Sequence, residues 1–247
     1  MDWTDRGIVL SARSHGEAAL LVVLLTEQHG RHAGLVRGGQ GHKALYQPGN
    51  RVTATWRARL AEHLGNYSCE LQESVAAPLL DDPLRLAALS SACAVAEAAL
   101  PEREPHADIY AGMEALLAAF AGPFWAEAYV RWEIGVLAGL GFGLDLASCA
   151  ATGSNDQLAY VSPRSGRAVS LAAGDAYRDR LLRLPGFLIG RARNDAGGGA
   201  EEVLQGLTLA GYFLERHVLG PQGQLMPAAR TRFVDRFERS ATISGRN

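Results

Sequence analysis

Several absences bound what this chain can be. Cysteine is scarce: three in 247 residues, at Cys69, Cys93 and Cys149, far apart and odd in number. That excludes a disulfide framework and leaves each as a small hydrophobe expected in a core. Long apolar runs are missing. The longest, Ala18 to Leu25, is far too short to span a bilayer, so no membrane partner is expected. The opening Met-Asp-Trp-Thr-Asp lacks the basic and apolar regions of a signal peptide, and a cytoplasmic location is expected. Lysine is nearly absent, with Lys43 alone among 24 basic residues; in an alanine-rich chain this is consistent with genomic base composition and carries no functional reading. Catalytic signatures are missing too. There is no Gly-x-Ser-x-Gly, no Cys/His pair at useful spacing and no acid cluster suited to a nuclease metal pair, so the chain is not expected to be an enzyme. The glycine-rich stretch from Gly38 to Pro48 fails as a phosphate loop, because His42 separates Gly41 from Lys43 and Ala44 follows. His29 and His32 flank a turn with only Glu27 nearby, which reads as surface histidines and not as a metal site.

What is present is a globular composition, 48% hydrophobic, with length for one large domain or two to three small ones. Charge is unevenly spread. Residues 1–80 carry eight basic and seven acidic groups, 81–150 three and ten, and 151–247 thirteen and nine. A polyanion would be repelled by the middle and tolerated at either end.

Residues 1–80 read as five short strands. Asp5 to Arg13, Ala18 to Thr26 and Arg31 to Arg37 come first, the second apolar on both faces. Arg51 to Leu60 follows the glycine-rich loop, and Tyr67 to Glu73 ends the set. Arg51–Leu60 alternates strictly. Val52, Ala54, Trp56, Ala58 and Leu60 share one face; Arg51, Thr53, Thr55, Arg57 and Arg59 share the other. Five short strands in this length suggest an OB-type barrel, a fold that often binds single strands. A row of guanidinium groups on its surface reads either as a solvated face or as a phosphate track.

Residues 81–145 read as a helical bundle. Asp82 caps a helix with Pro83 at its first position, a second helix follows Asp108, and a third runs from Phe124 to Leu140. The stripe of Trp125, Ala128, Trp132, Val136 and Gly139 reads as core, and Glu127, Arg131 and Glu133 as surface charge. Residues 146–172 hold a hairpin, Gln157–Val161 and Arg167–Leu171, around Ser162-Pro-Arg-Ser-Gly166. Residues 173–247 read as C-terminal helices: a charged one from Gly174 to Leu184, one from Glu201 to His217 after a glycine loop at 197–199, and one from Ala228 to Arg239 whose arginines read as solvated. The class is α+β and multidomain.

Taken in order, Gly7-Ile-Val-Leu-Ser-Ala-Arg13, Gly34-Leu-Val-Arg-Gly-Gly39, Gln47-Pro-Gly-Asn50, Ala58-Arg-Leu-Ala-Glu-His-Leu-Gly65, Leu140-Gly-Phe-Gly-Leu-Asp-Leu146 and Tyr160-Val-Ser-Pro163 give the chain a pattern that resembles the RecO family of bacterial recombination mediators, over nearly its whole length. The resemblance implies an N-terminal OB fold, a helical domain and a small C-terminal element. It implies binding to single- and double-stranded DNA, annealing of complementary strands, partnership with RecR and single-stranded DNA-binding protein, and loading of RecA on gapped DNA, placing the chain at the nucleoid. Many members hold zinc with two Cys-x-x-Cys pairs flanking the hairpin. Here Cys149 matches the first ligand, whereas Thr152, Ser170 and Ala173 stand near the other three. One thiolate cannot make a four-ligand site, so no zinc or other cofactor is expected, and Leu158, Tyr160, Val169 and Leu171 are expected to hold the hairpin by packing.

On this reading the DNA-contacting residues are Arg31, Arg37, Lys43, Arg51, Arg57 and Arg59, with Tyr46 as a base-stacking candidate and Trp56 in the core. The competing reading is a non-catalytic scaffold whose barrel arginines meet an acidic protein partner.

Overall fold

The structure is a computed structural model that describes residues 1–190 and 199–244. Five strands open the chain: β1 (Asp2–His15), β2 (Ala19–Thr26), β3 (Gly30–Val36), β4 (Arg51–Arg57) and β5 (Asn66–Glu73). β1 pairs antiparallel with β2 and β4, β2 with β3, and β4 with β5. A parallel contact between β3 and β5, with Leu35 opposite Asn66, closes the ring. The ring closes through that one residue pair, and the pleat places alternate residues inside. Val52, Ala54 and Trp56 of β4 therefore meet Val9, Val22, Leu24 and Tyr67 in one core.

β1 contains a bulge at Leu10: Val9 pairs with Leu24 but Ser11 with Val23. The bulge turns the Val9 backbone to the loop before β4, where the Val9 N–H donates to Asn50 O (2.9 Å) and the Val9 carbonyl accepts the Gly49 N–H (2.8 Å). Gly49 has φ 90° and lies under Leu89, which would stand 2.6 Å from a Cβ there. Asn50 is fully buried and donates to the Ala44 and Leu45 carbonyls at 3.0 Å. The Gln47–Asn50 motif is thus a seat for helix α1 (Pro83–Ala99), which packs on β1 and β2. That helix explains why Ile8, Val9 and Leu10 are all buried in succession. Asp82 caps it, accepting from Leu84 and Arg85 N–H, with Pro83 first.

Helices α2 (Ala107–Ala119) and α3 (Trp125–Gly139) follow. By compactness the chain divides into Met1–Leu117 with Pro227–Phe233, and Ala118–Met226 with Val234–Asn247. The second unit contains α3, strands β6 (Leu158–Val161) and β7 (Ala168–Ser170), the single turn α4 (Leu171–Gly174), β8 (Leu182–Arg183), α5 (Gly199–Phe213) and most of α6 (Ala228–Ser244). Its sheet has the order β7-β6-β8. α3 packs on α5, where the bare Gly206 admits Val130 and the Phe187 ring.

The structure departs from the sequence expectations at several places. The charged helix expected over 174–184 is a short 3-10 stretch, Asp175–Arg180, followed by β8; residues 175–180 are all exposed and have no apolar face to bury. Glu127 and Glu133 are buried, because α3 is covered on more than one side, and Tyr129 Oη donates to Glu133 Oε1 at 3.0 Å. The Leu171 side chain is exposed at the start of α4 and does not pack under the hairpin, although its N–H donates to Gln157 O at 2.8 Å, whereas Leu158, Tyr160 and Val169 are buried. Arg230 is buried, unlike the exposed Arg232 and Arg239. Of the glycine loop at 197–199, only Gly199 lies within the described residues, and it opens α5. Among the described residues no helix is long and apolar enough to cross a membrane.

Candidate nucleic-acid interface

β4 ends at Arg57, three residues short of the stretch whose alternation marks it. Its outer face is not a uniform arginine row. In register, Arg57 lies between Asp2 and Asn66, Thr55 between Thr4 and Ser68, and Thr53 between Arg6 and Glu70. Thr55 Oγ1 meets Thr4 Oγ1 at 3.0 Å. Arg51, expected to touch DNA, is held by two acids: Nε donates to Glu114 Oε2 (2.8 Å) and Nη1 pairs with Glu73. Its guanidinium is 22% exposed and already neutralised, which removes it from a phosphate track.

Two further candidates are structural. Arg31 is half-buried, with Nε donating to the Leu100 carbonyl at 2.7 Å, and its own carbonyl accepts the Arg103 N–H at 2.7 Å. Tyr46 is 5% exposed and belongs to the barrel core, with its phenol pKa raised by burial; the glycine-rich loop folds back through Asn50 and carries the ring inward instead of presenting it to bases. Trp56 is buried as expected, and its Nε1 donates to Leu64 O at 2.9 Å.

Four basic residues remain available. Arg57 is 74% exposed, with Asp2 at 4.0 Å as its one ion-pair partner among the described residues. Arg37, just past β3, is exposed and donates from Nε to Asn66 Oδ1 at 3.2 Å. Because Asn66 is the β5 partner of Arg57, the parallel β3–β5 closure brings Arg37 and Arg57 to the two sides of one asparagine. Arg59 stands in the exposed β4–β5 loop, residues 58–65, and Lys43 is exposed after a 3-10 turn, Gly39–His42. Gly65 ends that loop with φ 67° directly over the Trp56 indole, where any Cβ would collide. Asn66 escaped the sequence reading; an amide at a strand start carries no periodicity signal, and only the ring closure gives it neighbours.

At the same end of the barrel is a cluster of rings. Trp3 stacks on His29 with centroids 4.1 Å apart and planes 8° apart, and on Trp56 at 5.7 Å and 19°. His32 meets Trp3 and Trp56 edge-on. His29 Nδ1 lies 3.0 Å from Asp5 Oδ2, and Asp5 is buried. Burial, reinforced by the nearby Arg103 charge, lowers the pKa of His32 to about 4, so it is neutral beside Tyr67 Oη at 3.0 Å. This cluster is invisible if β1 is started at Asp5; the strand in fact begins at Asp2 and pairs Trp3 with Trp56.

In the second unit, the residues at the four zinc-ligand positions bind one another. Cys149 is buried, its Sγ accepts the Ser170 N–H at 3.3 Å and donates to Ser170 Oγ at 3.5 Å, and Ser170 Oγ accepts the Ala173 N–H at 3.4 Å. Burial raises the thiol pKa, but hydrogen bonds from Thr152 and Ser170 outweigh it and bring the thiol to about 6. One sulfur, two hydroxyls and a methyl do not fit zinc. No group of three or more His, Cys, Asp or Glu suited to a metal ion is found among the described residues.

Comparison with known proteins bears on the whole chain. Residues 1–75 match the family model for the N-terminal part of recombination protein O, and residues 80–226 match that for its C-terminal part. The DNA repair protein RecO of Rhodospirillum centenum is 62% identical over 249 residues, covering 99% of this chain and 98% of the relative. That of Rhodospirillum rubrum is 56% identical over 247 residues, with 97% of each chain covered. That of Methylobacterium nodulans is 53% identical over 241 residues, covering 95% of this chain and 97% of the relative. Barrel, helices and full-length similarity agree, and the chain belongs to the RecO family of DNA repair proteins.

Proposed function

We propose that this chain is a non-catalytic recombination mediator. It binds single- and double-stranded DNA, anneals complementary strands and, with RecR, loads RecA onto gapped DNA coated with single-stranded DNA-binding protein. The observation that carries the DNA-binding step is the pairing of exposed Arg37 and Arg57 around Asn66, next to the loop that bears Arg59. A guanidinium that is exposed and not neutralised by a close acid can replace a phosphate counterion. Each such replacement releases an ion, so binding weakens with salt, with a log–log slope of about −0.7 per contact on single strands. Arg51 cannot contribute, because Glu73 and Glu114 already hold it. Lys43 adds an exposed point charge, and no residue makes or breaks a covalent bond. The hairpin region works without zinc, its place taken by the Cys149–Ser170 hydrogen bonds.

Annealing of strands coated with single-stranded DNA-binding protein, with and without RecR, tests the whole reading. The double substitution Arg57→Ala with Arg59→Ala is expected to slow annealing and flatten the salt slope by about 1.4, while Arg51→Ala leaves the slope unchanged. Undiminished annealing in the double variant rules out this surface. Absence of any DNA binding at low salt favours a scaffold that docks an acidic protein. Stoichiometric zinc in the purified protein would overturn the metal-free hairpin.

A further inference from the structure

The ring cluster at the barrel end borders a cleft of about 530 Å3, within the range of small-molecule sites. Its walls include Trp3, His29, Trp56, Ala61 and Pro105. Three features distinguish it from leftover space. The rings of Trp56, Trp3 and His29 are close to parallel, forming one stack, and His29 at its outer end is one-third exposed. The stack is locked: buried Asp5 holds His29, while His32 buttresses Trp3 and Trp56 edge-on. The third is the rim. Asp2 lines the cleft and lies 4.0 Å from Arg57; Ala61 lines it two residues after Arg59. Arg103, in the left-handed region at φ 62°, ties the loop over the cleft, donating to the Ala61 and His63 carbonyls.

A stacked platform inside an opening whose wall residues Asp2 and Ala61 neighbour the exposed Arg57 and Arg59 matches a planar, uncharged ring on an anionic backbone. We infer that this cleft takes one unpaired nucleobase of a single strand, stacked on the His29 end of the ring column, while Arg57 and Arg59 hold the flanking phosphates. The inference rests on the DNA-binding reading above and adds to it a subsite for the base itself. Any base has a flat face, so the subsite holds a strand without choosing a sequence. It also takes that base away from premature pairing until a complementary strand competes for it.

The test is equilibrium binding of the full-length protein to a labelled oligothymidylate and to an abasic strand of equal length and phosphate number, across a salt series. The base-bearing strand is expected to bind about tenfold tighter at the same salt slope. That ratio should fall towards one in Ala61→Leu, which fills the cleft from an exposed loop position and leaves the rings themselves unaltered in composition, and in His29→Ala, which removes the platform. Folding of both variants is checked by circular dichroism. Equal binding of the two strands, or an unchanged ratio in either folded variant, overturns the base subsite. Failure of both strands to bind at low salt overturns the DNA reading itself, so the two failures are distinguishable.

Discussion

The barrel buries Trp56, Tyr67 and Tyr46 inside a closed ring of strands, whereas the β7-β6-β8 sheet is built from strands of three, four and two residues. A sheet that small does not stabilise itself. It buries Tyr160, Val161, Ala168 and Val169, and polar contacts add to that packing: Ser170 bonds Cys149 outside the sheet, and within it the Arg183 guanidinium lies 4.9 Å above the Tyr160 ring. The contrast teaches where each region is fragile. The barrel depends on the volume and shape of a closed core, the small sheet on a few buried side chains together with a few polar contacts.

Substitutions can break that comparison. The largest effect is expected from Trp56→Ala, which empties the barrel core and removes the bond to Leu64; about 3–5 kcal/mol of stability should be lost in denaturant unfolding. A loss below about 1 kcal/mol, the scale of one ordinary hydrogen bond, would mean the barrel does not rest on its aromatic core. Next comes Gly65→Ala, which forces a side chain into a left-handed backbone against the same indole, at a cost of about 1–3 kcal/mol in thermal melting. Ser170→Ala is expected to cost about 1–2 kcal/mol and to act locally. Hydrogen exchange should rise over residues 149–171 and stay unchanged in the barrel; uniform loss of protection would show that the sheet is not a separate weak point.

The smallest effect is a pH dependence of the barrel. The folded pKa of His32, about 4, lies below the ordinary value of 6.5 because the ring is buried. Between those values the unfolded chain binds the proton and the folded chain does not. Its contribution is therefore complete above pH 6.5 and is lost as pH falls towards 4. The unfolding midpoint should drop between pH 7 and pH 5, and His32→Gln should make the drop shallower. An identical drop in the variant would assign it to other groups.

The strands of the barrel were legible because one face of each is buried and the pleat repeats every two residues. The start of α1 was legible because Asp82 and Pro83 satisfy local backbone geometry. Helix partners were not. α1 spends its apolar face on β1 and β2, and α3 meets α5, choices that periodicity cannot record. The candidate site was legible in part. Arg37, Lys43, Arg57 and Arg59 are exposed, while Arg31, Tyr46 and Arg51 are committed to the fold.

Those last residues mark the division between what the chain carries locally and what folding adds. Alternation within a strand says which side chains leave the core, since burial of one face is a local, periodic property. It says nothing about which charge will stand opposite. Arg51 and Arg57 occupy the same outer face of β4, yet Arg51 meets Glu114, 63 positions away in sequence, while Arg57 meets only Asp2 at the limit of an ion pair. The five strands were determined by sequence alone. The difference between a neutralised arginine and an available one was decided by tertiary structure, because electrostatic neutralisation depends on distance in space and falls off within a few ångströms.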